Sequence, residues 1–263
     1  MRFQVTFGHT SRNRQLPIDY QYFIGAWIYK VIGTGDAAFA RFLHQHGYPD
    51  GNKTFKLFCY SPFSLSTYIF HRDKNLFEIK DDHIKLKVAF HLPQAAEKFI
   101  IGLFNNQQAY FGDRHYGLDL KVLQIERLPD EPLKQVMHYR LLSSAVFSIS
   151  DVNMKYARYA SPQDVGYHLL VTNHLKQKLH VASANLLKQD ENPVNSFKIV
   201  SEKDIKSKLI RVKPDKAEET RVRGFLYQFQ IDAPEEVHRM ILNCGFGEKN
   251  ASGFGWVERI EGD

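Results

Sequence analysis

The chain has 263 residues, with 35 Lys+Arg against 29 Asp+Glu, a formal net charge of +6, and 43% hydrophobic residues. That composition excludes a disordered tail or a coiled coil, and the length admits one large domain or two small ones. No apolar run nears the ~20 residues that span a bilayer, and Met1–Val5 alternates instead of building a signal-peptide core. Cys59 and Cys244 are too few for a disulfide framework or a zinc site, so the chain reads as reduced, soluble and cytoplasmic.

In chain order, Phe3, Val5 and Phe7 alternate with polar residues and predict a first strand. After Pro17, the residues Ile24, Trp27, Ile28, Val31 and Ile32 fall at helical spacing, and Gly33 and Gly35 close that helix. A shorter helix covers Ala37–Leu43. Phe55–Tyr60 is strand-like, and Tyr68–Ile79 with Ile84–Leu92 predict a strand pair joined at Lys80-Asp81-Asp82-His83. Gln94–Asn106 is a helix and Gly117–Leu128 a strand. The order β-α-β-β-α-β is that of a ferredoxin-like, RRM-like unit, and Pro129-Asp130-Glu131-Pro132 is its boundary.

The second half repeats the order less cleanly. Ala145–Ser150 reads as a strand and Pro162–Lys188 as a helical region. Phe197–Val200, Leu209–Val212 and Arg221–Ile231 read as strands, Pro234–Cys244 as a helix, and Phe254–Ile260 as the closing strand. The expected architecture is α+β: tandem ferredoxin-like domains at 1–130 and 131–263, with the catalytic residues in the first. The second is expected to carry basic strands and a glycine-rich loop.

That loop is Gly245-Phe246-Gly247-Glu248-Lys249-Asn250-Ala251-Ser252-Gly253-Phe254-Gly255. Two Gly-Phe-Gly elements bracket five residues between a predicted helix and a predicted strand. Glycines so close together let backbone N–H groups approach a phosphate, with Lys249 adding charge and Asn250 and Ser252 hydrogen bonds. It is not a dinucleotide fingerprint, because the third glycine of that pattern would fall at Asn250; it is not a Walker A loop, because Gly-Lys-Ser/Thr is missing.

The loop resembles the signature of the CRISPR-associated repeat-processing endoribonucleases, double-ferredoxin proteins of the repeat-associated RNA-binding superfamily. Ile18-Asp19-Tyr20, Trp27-Ile28-Tyr29-Lys30, Leu43-His44 and Phe55-Lys56-Leu57-Phe58-Cys59-Tyr60-Ser61 carry the same resemblance at the other end of the chain, and residues 62–240 match in pattern only. The resemblance implies cleavage of CRISPR precursor RNA within its repeats to give guide RNAs, without metal or organic cofactor. The 2′-hydroxyl attacks the adjacent phosphate, leaving a 2′,3′-cyclic phosphate and a 5′-hydroxyl. Such chemistry needs one group to take the 2′-hydroxyl proton, one to protonate the leaving oxygen, and positive charge on the phosphorane.

The positions that match the family's Tyr/His/Lys set are Tyr29, His44 and Lys56, with His44 as the lead acid or base. His46 rivals His44 and Lys53 rivals Lys56. An imidazole titrating near pH 6.5 can serve either role. Gly245, Gly247, Lys249, Asn250, Gly253 and Gly255 are the expected RNA contacts of the loop, and Lys30 and Arg41 are candidates to flank the same cleft.

Lys198, Lys203, Lys206, Lys208, Arg211, Lys213, Lys216, Arg221 and Arg223 crowd one region, diluted by Glu202, Asp204, Asp215, Glu218 and Glu219. Among them Arg211 and Arg223, on predicted strands, are the expected phosphate contacts. The expected partner is CRISPR repeat RNA, precursor and processed, with other effector subunits and a homodimer left open and no membrane. The competing reading is a repeat-RNA-binding subunit without catalysis, which has no need of the Tyr/His/Lys set. A nucleotidyl-transfer enzyme would need metal-binding carboxylates, and the one adjacent aspartate pair, Asp81-Asp82, reads better as a hairpin turn.

Overall fold

A computed structural model describes residues 1–149, 158–183, 192–214 and 217–261. The first half is organised by β1 (Arg2–His9), whose Phe3, Val5 and Phe7 are all buried. Around it lie β2 (Phe58–Tyr60), β3 (His83–Phe90), β4 (Gln108–Gly112) and β5 (Gly117–Arg127), in the antiparallel order β2-β3-β1-β5-β4. One face is covered by α1 (Tyr20–Gly35) and α3 (Pro93–Asn105). Ile24, Trp27, Ile28, Val31 and Ile32 of α1 meet Ala95, Phe99 and Leu103 of α3 in one core. Without β4, the strands form the ferredoxin-like order, with α2 (Ala37–Gln45) inserted after α1. Asp36 sets the start of α2, its carboxylate accepting from the Phe39 N–H at 2.9 Å.

The second half has the same plan. Strands β6 (Val136–Leu141), β7 (Ser196–Ile199), β10 (Gln228–Asp232) and β11 (Val257–Ile260) run in the order β7-β10-β6-β11. They are backed by α4 (Tyr167–Ala182) and α5 (Glu235–Cys244). A two-stranded ribbon, β8 (Lys206–Val212) with β9 (Thr220–Leu226), is inserted between β7 and β10. The α+β, tandem ferredoxin-like architecture is therefore present in both halves.

Several element expectations are corrected. Tyr68–Ile79 is not the partner of the strand that follows it. It folds on itself as a hairpin, Tyr68–His71 with Leu76–Ile79, in a separate small sheet with Gln15–Pro17. The partners of β3 are β2 and β1. Phe55–Tyr60 is broken by Leu57, whose φ of +53° ends the Lys53–Phe55 strand before β2 begins. The first strand of the second unit is Val136–Leu141, not Ala145–Ser150; Ser150 lies outside the described residues. Its Met137, Tyr139 and Leu141 are buried in alternation, a signal hidden behind the proline-rich segment just before it. Arg221–Ile231 is two strands, which part at Tyr227. Helix α4 begins only at Tyr167, after Gly166 at φ +81°, and 184–188 of its expected span lie outside the described residues. No helix among the described residues is long and apolar enough to cross a membrane.

Candidate active site

A cavity of about 560 Å³ opens where the two halves meet. Tyr29, His44, Lys53, Lys56 and Phe58 line one side; Ser148, His174, Lys178 and Gly247–Ser252 line the other. The site is thus built from α1, the end of α2, and the 53–58 segment on one wall, and from α4 and the glycine-rich loop on the opposite wall.

Tyr29 projects from α1 with its ring edge-on to His44, centroids 4.9 Å apart, and to Phe58 at 5.5 Å. Burial raises the Tyr29 phenol far above its ordinary value, so it holds its proton throughout the neutral range. His44 sits exposed in the last turn of α2, and its carbonyl accepts from Lys56 Nζ at 2.9 Å. Burial lowers the Lys56 pKa. Space for the Lys56 stem depends on Gly47: a Cβ there would lie 2.9 Å from Lys56 Cδ, and its φ of +65° suits glycine. Of the two histidines left open by sequence, His44 lines the cavity and His46, at the C-cap of α2, does not. Both lysines line it, but Lys53 is paired with Glu248 at 3.7 Å. Lys30 and Arg41 are exposed and stand outside the lining.

The glycine-rich loop departs from its simplest expectation. Gly245, Gly247, Gly253 and Gly255 all have positive φ, and Gly255 is the most constrained, since a Cβ there would fall 1.9 Å from Phe246 O. Phe246 and Phe254 are buried and anchor the loop. Several of its backbone N–H groups are already committed: Phe246 N–H donates to Gly255 O within the loop, and Glu248 N–H and Gly255 N–H donate to Val146 O and Ser144 O outside it. The Asn250 side chain, an expected RNA contact, points inward and donates to Phe246 O at 3.3 Å and Phe254 O at 3.0 Å. Lys249 is exposed and lines the cavity, and Glu248 is held by the Ser148 hydroxyl. The loop docks on α1, where Gln21 Nε2 donates to Gly253 O at 3.1 Å.

Two side chains in the wall escaped the sequence reading. Lys178 and His174 of α4 are buried, Lys178 donating to carbonyls of the loop. The signal existed: both fall on the apolar stripe with Val171, Leu175 and Leu179, where a lysine is out of place. Burial drives the His174 pKa well below the ordinary value, so that ring is neutral. With Lys53, Lys56 and Lys249 against Glu248, the lining carries an excess of positive charge, which favours a phosphate. Among the described residues, no group of three His, Cys, Asp or Glu side chains is placed to hold a metal ion.

The expected basic face is only partly free for RNA. Arg211 turns to Asp19 at the start of α1, with Nε at 2.9 Å and Nη2 at 2.6 Å, and also meets Glu219 at 3.6 Å. Arg223 stays exposed, donating to Ser207 Oγ at 2.9 Å. Lys206 and Lys208 are exposed on the same ribbon; Lys216 and Asp215 lie outside the described residues.

A protein-family profile described as CRISPR associated protein Cas6, C-terminal, matches residues 128–259. The chain belongs to the Cas6 family. A relative named CRISPR-associated endoribonuclease Cas6, from Pyrococcus furiosus, is 23% identical over 280 residues, covering 100% of this chain and 91% of the relative. A solved structure described as a Cas6-related gene product from the same organism superposes with a TM-score of 0.81 at 19% identity, over 100% of this chain and 99% of the other. Another, described as a RAMP protein binding different RNA substrates, gives a TM-score of 0.76 at 20% identity, over 99% of this chain and 100% of the other. These likenesses extend the Cas6 fold across both halves of the chain.

Proposed function

We propose that this Cas6-family protein is an endoribonuclease that cleaves CRISPR precursor RNA within its repeats. The observation that carries the reading is convergence: Tyr29, His44 and Lys56, from three segments of the chain, line one positively charged cavity opposite the glycine-rich loop. The relatives' names, which specify an endoribonuclease, agree with it. The reaction is transesterification by the RNA's own 2′-hydroxyl, giving a 2′,3′-cyclic phosphate and a 5′-hydroxyl and needing neither metal nor organic cofactor.

In this reading His44 exchanges the proton, either taking it from the 2′-hydroxyl or giving it to the leaving 5′ oxygen. Tyr29 keeps its proton, so it is a hydrogen-bond donor for the bound RNA and, through its edge-on ring contact, orients the imidazole instead of acting as a base. Lys56, with Lys249 across the cavity, stabilises charge on the phosphorane. Gly245, Gly247, Gly253 and Gly255 shape the loop, Asn250 braces it, and Arg223 with its ribbon neighbours holds flanking phosphates. We place the division between the two units at residue 130, with the catalytic trio in the first. Repeat RNA is the proposed partner, and the cytoplasm the proposed location.

The test is cleavage of repeat RNA in excess EDTA by the wild type, His44→Ala and His46→Ala. Cleavage is expected to survive EDTA and to vanish when the nucleotide before the scissile bond is 2′-deoxy. His44→Ala is expected to lose about 100-fold or more in rate, and His46→Ala to retain activity. Tight binding without cleavage by the wild type would reassign the protein as a repeat-RNA-binding subunit.

A further inference from the structure

Lys178 is a buried ammonium, its residue 1% exposed, with no carboxylate at ion-pair distance among the described residues. Burying a charge without a counter-ion costs several kcal/mol unless hydrogen bonds replace the lost water. Here they do, and all of them come from one place. Lys178 Nζ donates to Cys244 O at 3.0 Å, Gly245 O at 2.6 Å, Gly247 O at 3.4 Å and Asn250 Oδ1 at 2.7 Å. A methionine would fill the same place beside Leu175 and Leu179; only a cation gathers these carbonyls.

We propose that Lys178 is a positioning residue for RNA cleavage: its ammonium clamps the carbonyl side of the glycine-rich loop and thereby sets the Lys249–Ser252 segment in the cavity. The first half of the loop is held from both faces of its peptide groups. Its carbonyls at Gly245 and Gly247 go to Lys178, and its N–H groups at Phe246 and Glu248 go to Gly255 O and Val146 O. Asn250 carries the clamp onward, taking Lys178 on its Oδ1 while its Nδ2 spans Phe246 O and Phe254 O. Beyond that brace, the backbone N–H groups of Lys249, Asn250 and Ala251 have no acceptor among the described residues, and these residues line the cavity shared with Tyr29, His44 and Lys56. The uncommitted donors therefore belong to residues that line the cavity, and the committed carbonyls are those that Lys178 gathers from the same wall.

The catalytic consequence rests on the cleavage reading above; the clamp itself does not. Lys178→Met and Asn250→Ala are compared with the wild type by thermal melting, by binding of a repeat RNA with 2′-deoxy at the cleavage site, and by single-turnover cleavage of saturating all-ribose RNA. Lys178→Met is expected to bind the deoxy RNA within about threefold of the wild type and to cleave about 100-fold more slowly per folded molecule. Asn250→Ala, which keeps the lysine, is expected to fall between the two. A lysine with a purely structural role would lower the folded fraction and leave the rate of folded molecules unchanged, and that result in both variants would overturn the proposal. Should Lys178→Met fail to fold, the Asn250→Ala rate decides alone. Should the wild type leave the RNA uncut, the cleavage reading falls and hydrogen exchange decides the clamp. Faster exchange of the Phe246 and Glu248 amides in the variants supports it, and unchanged exchange overturns it.

Discussion

At the scale of single residues, burial divides the labour in the candidate site. The Tyr29 phenol holds its proton through the neutral range because its ionised form has lost too much solvation. Tyr29→Phe is therefore expected to slow cleavage by about 10- to 100-fold while leaving the shape of the pH–rate profile between neutral and mildly alkaline pH unchanged. Loss of an alkaline limb in that variant would make the phenol a base and overturn the assignment. Lys56 is also desolvated, but for a cation the sign reverses: burial favours the neutral amine and lowers its pKa. Its charge on the phosphorane is present at neutral pH and is lost as pH rises through a range below that of an ordinary lysine. The wild-type rate should accordingly fall on the alkaline side earlier than in Lys56→Arg, whose guanidinium keeps its charge. Coincident alkaline limbs would show that Lys56 is not the titrating cation.

At the scale of elements, the two arginines singled out on the basic ribbon have different work. Arg211 ties β8 to the first residue before α1, and Asp19, drawn to it, makes no side-chain bond to the helix it precedes. Arg211→Ala leaves a largely buried carboxylate unpaired and is expected to cost about 2 kcal/mol in stability, measured by urea melts, with a small effect on RNA affinity. Arg223→Ala is expected to do the reverse: unchanged melting, weaker RNA binding, and a shallower dependence of affinity on salt. Sequence alone ranked the two together because a guanidinium on a strand advertises charge but not the carboxylate that another element brings to it. The same division runs through the rest of the chain. Helices α1, α3 and α5 were legible because their apolar spacing is local. The Tyr68–Ile79 hairpin carries its own local signal, the polar run His71-Arg72-Asp73-Lys74-Asn75 with Asn75 at φ +50°, but its pairing with Gln15–Pro17 instead of the following strand depends on distant residues. The Gly-Phe-Gly doublet was legible as a motif, while its inward hydrogen bonds depend on Ser144 and Val146, about 100 residues upstream.

At the scale of the whole molecule, imidazoles withdrawn from water make stability fall as the solution becomes acid. His91 has its pKa lowered to about 4, chiefly by burial, against 6.5 in the unfolded chain. Between those values the unfolded chain binds the extra proton. The His91 contribution is therefore complete above pH 6.5 and is lost as pH falls toward 4, about 3 kcal/mol in all. His174, neutral in the cavity wall, adds a loss of the same sign. Urea melts at neutral and mildly acidic pH should show this slope, and His91→Gln should flatten it. A last consequence concerns time. The wall bearing Tyr29, His44 and Lys56 is synthesised well before the glycine-rich loop, since Lys56 precedes Gly245 by 189 residues. At 5–20 residues per second that interval is roughly 10 to 40 s. A nascent chain whose first half has already folded would thus hold Tyr29 and His44 with nothing facing them, while Lys56, whose neighbours Phe55 and Leu57 pack into the core of the second half, would be fixed only when that half arrives.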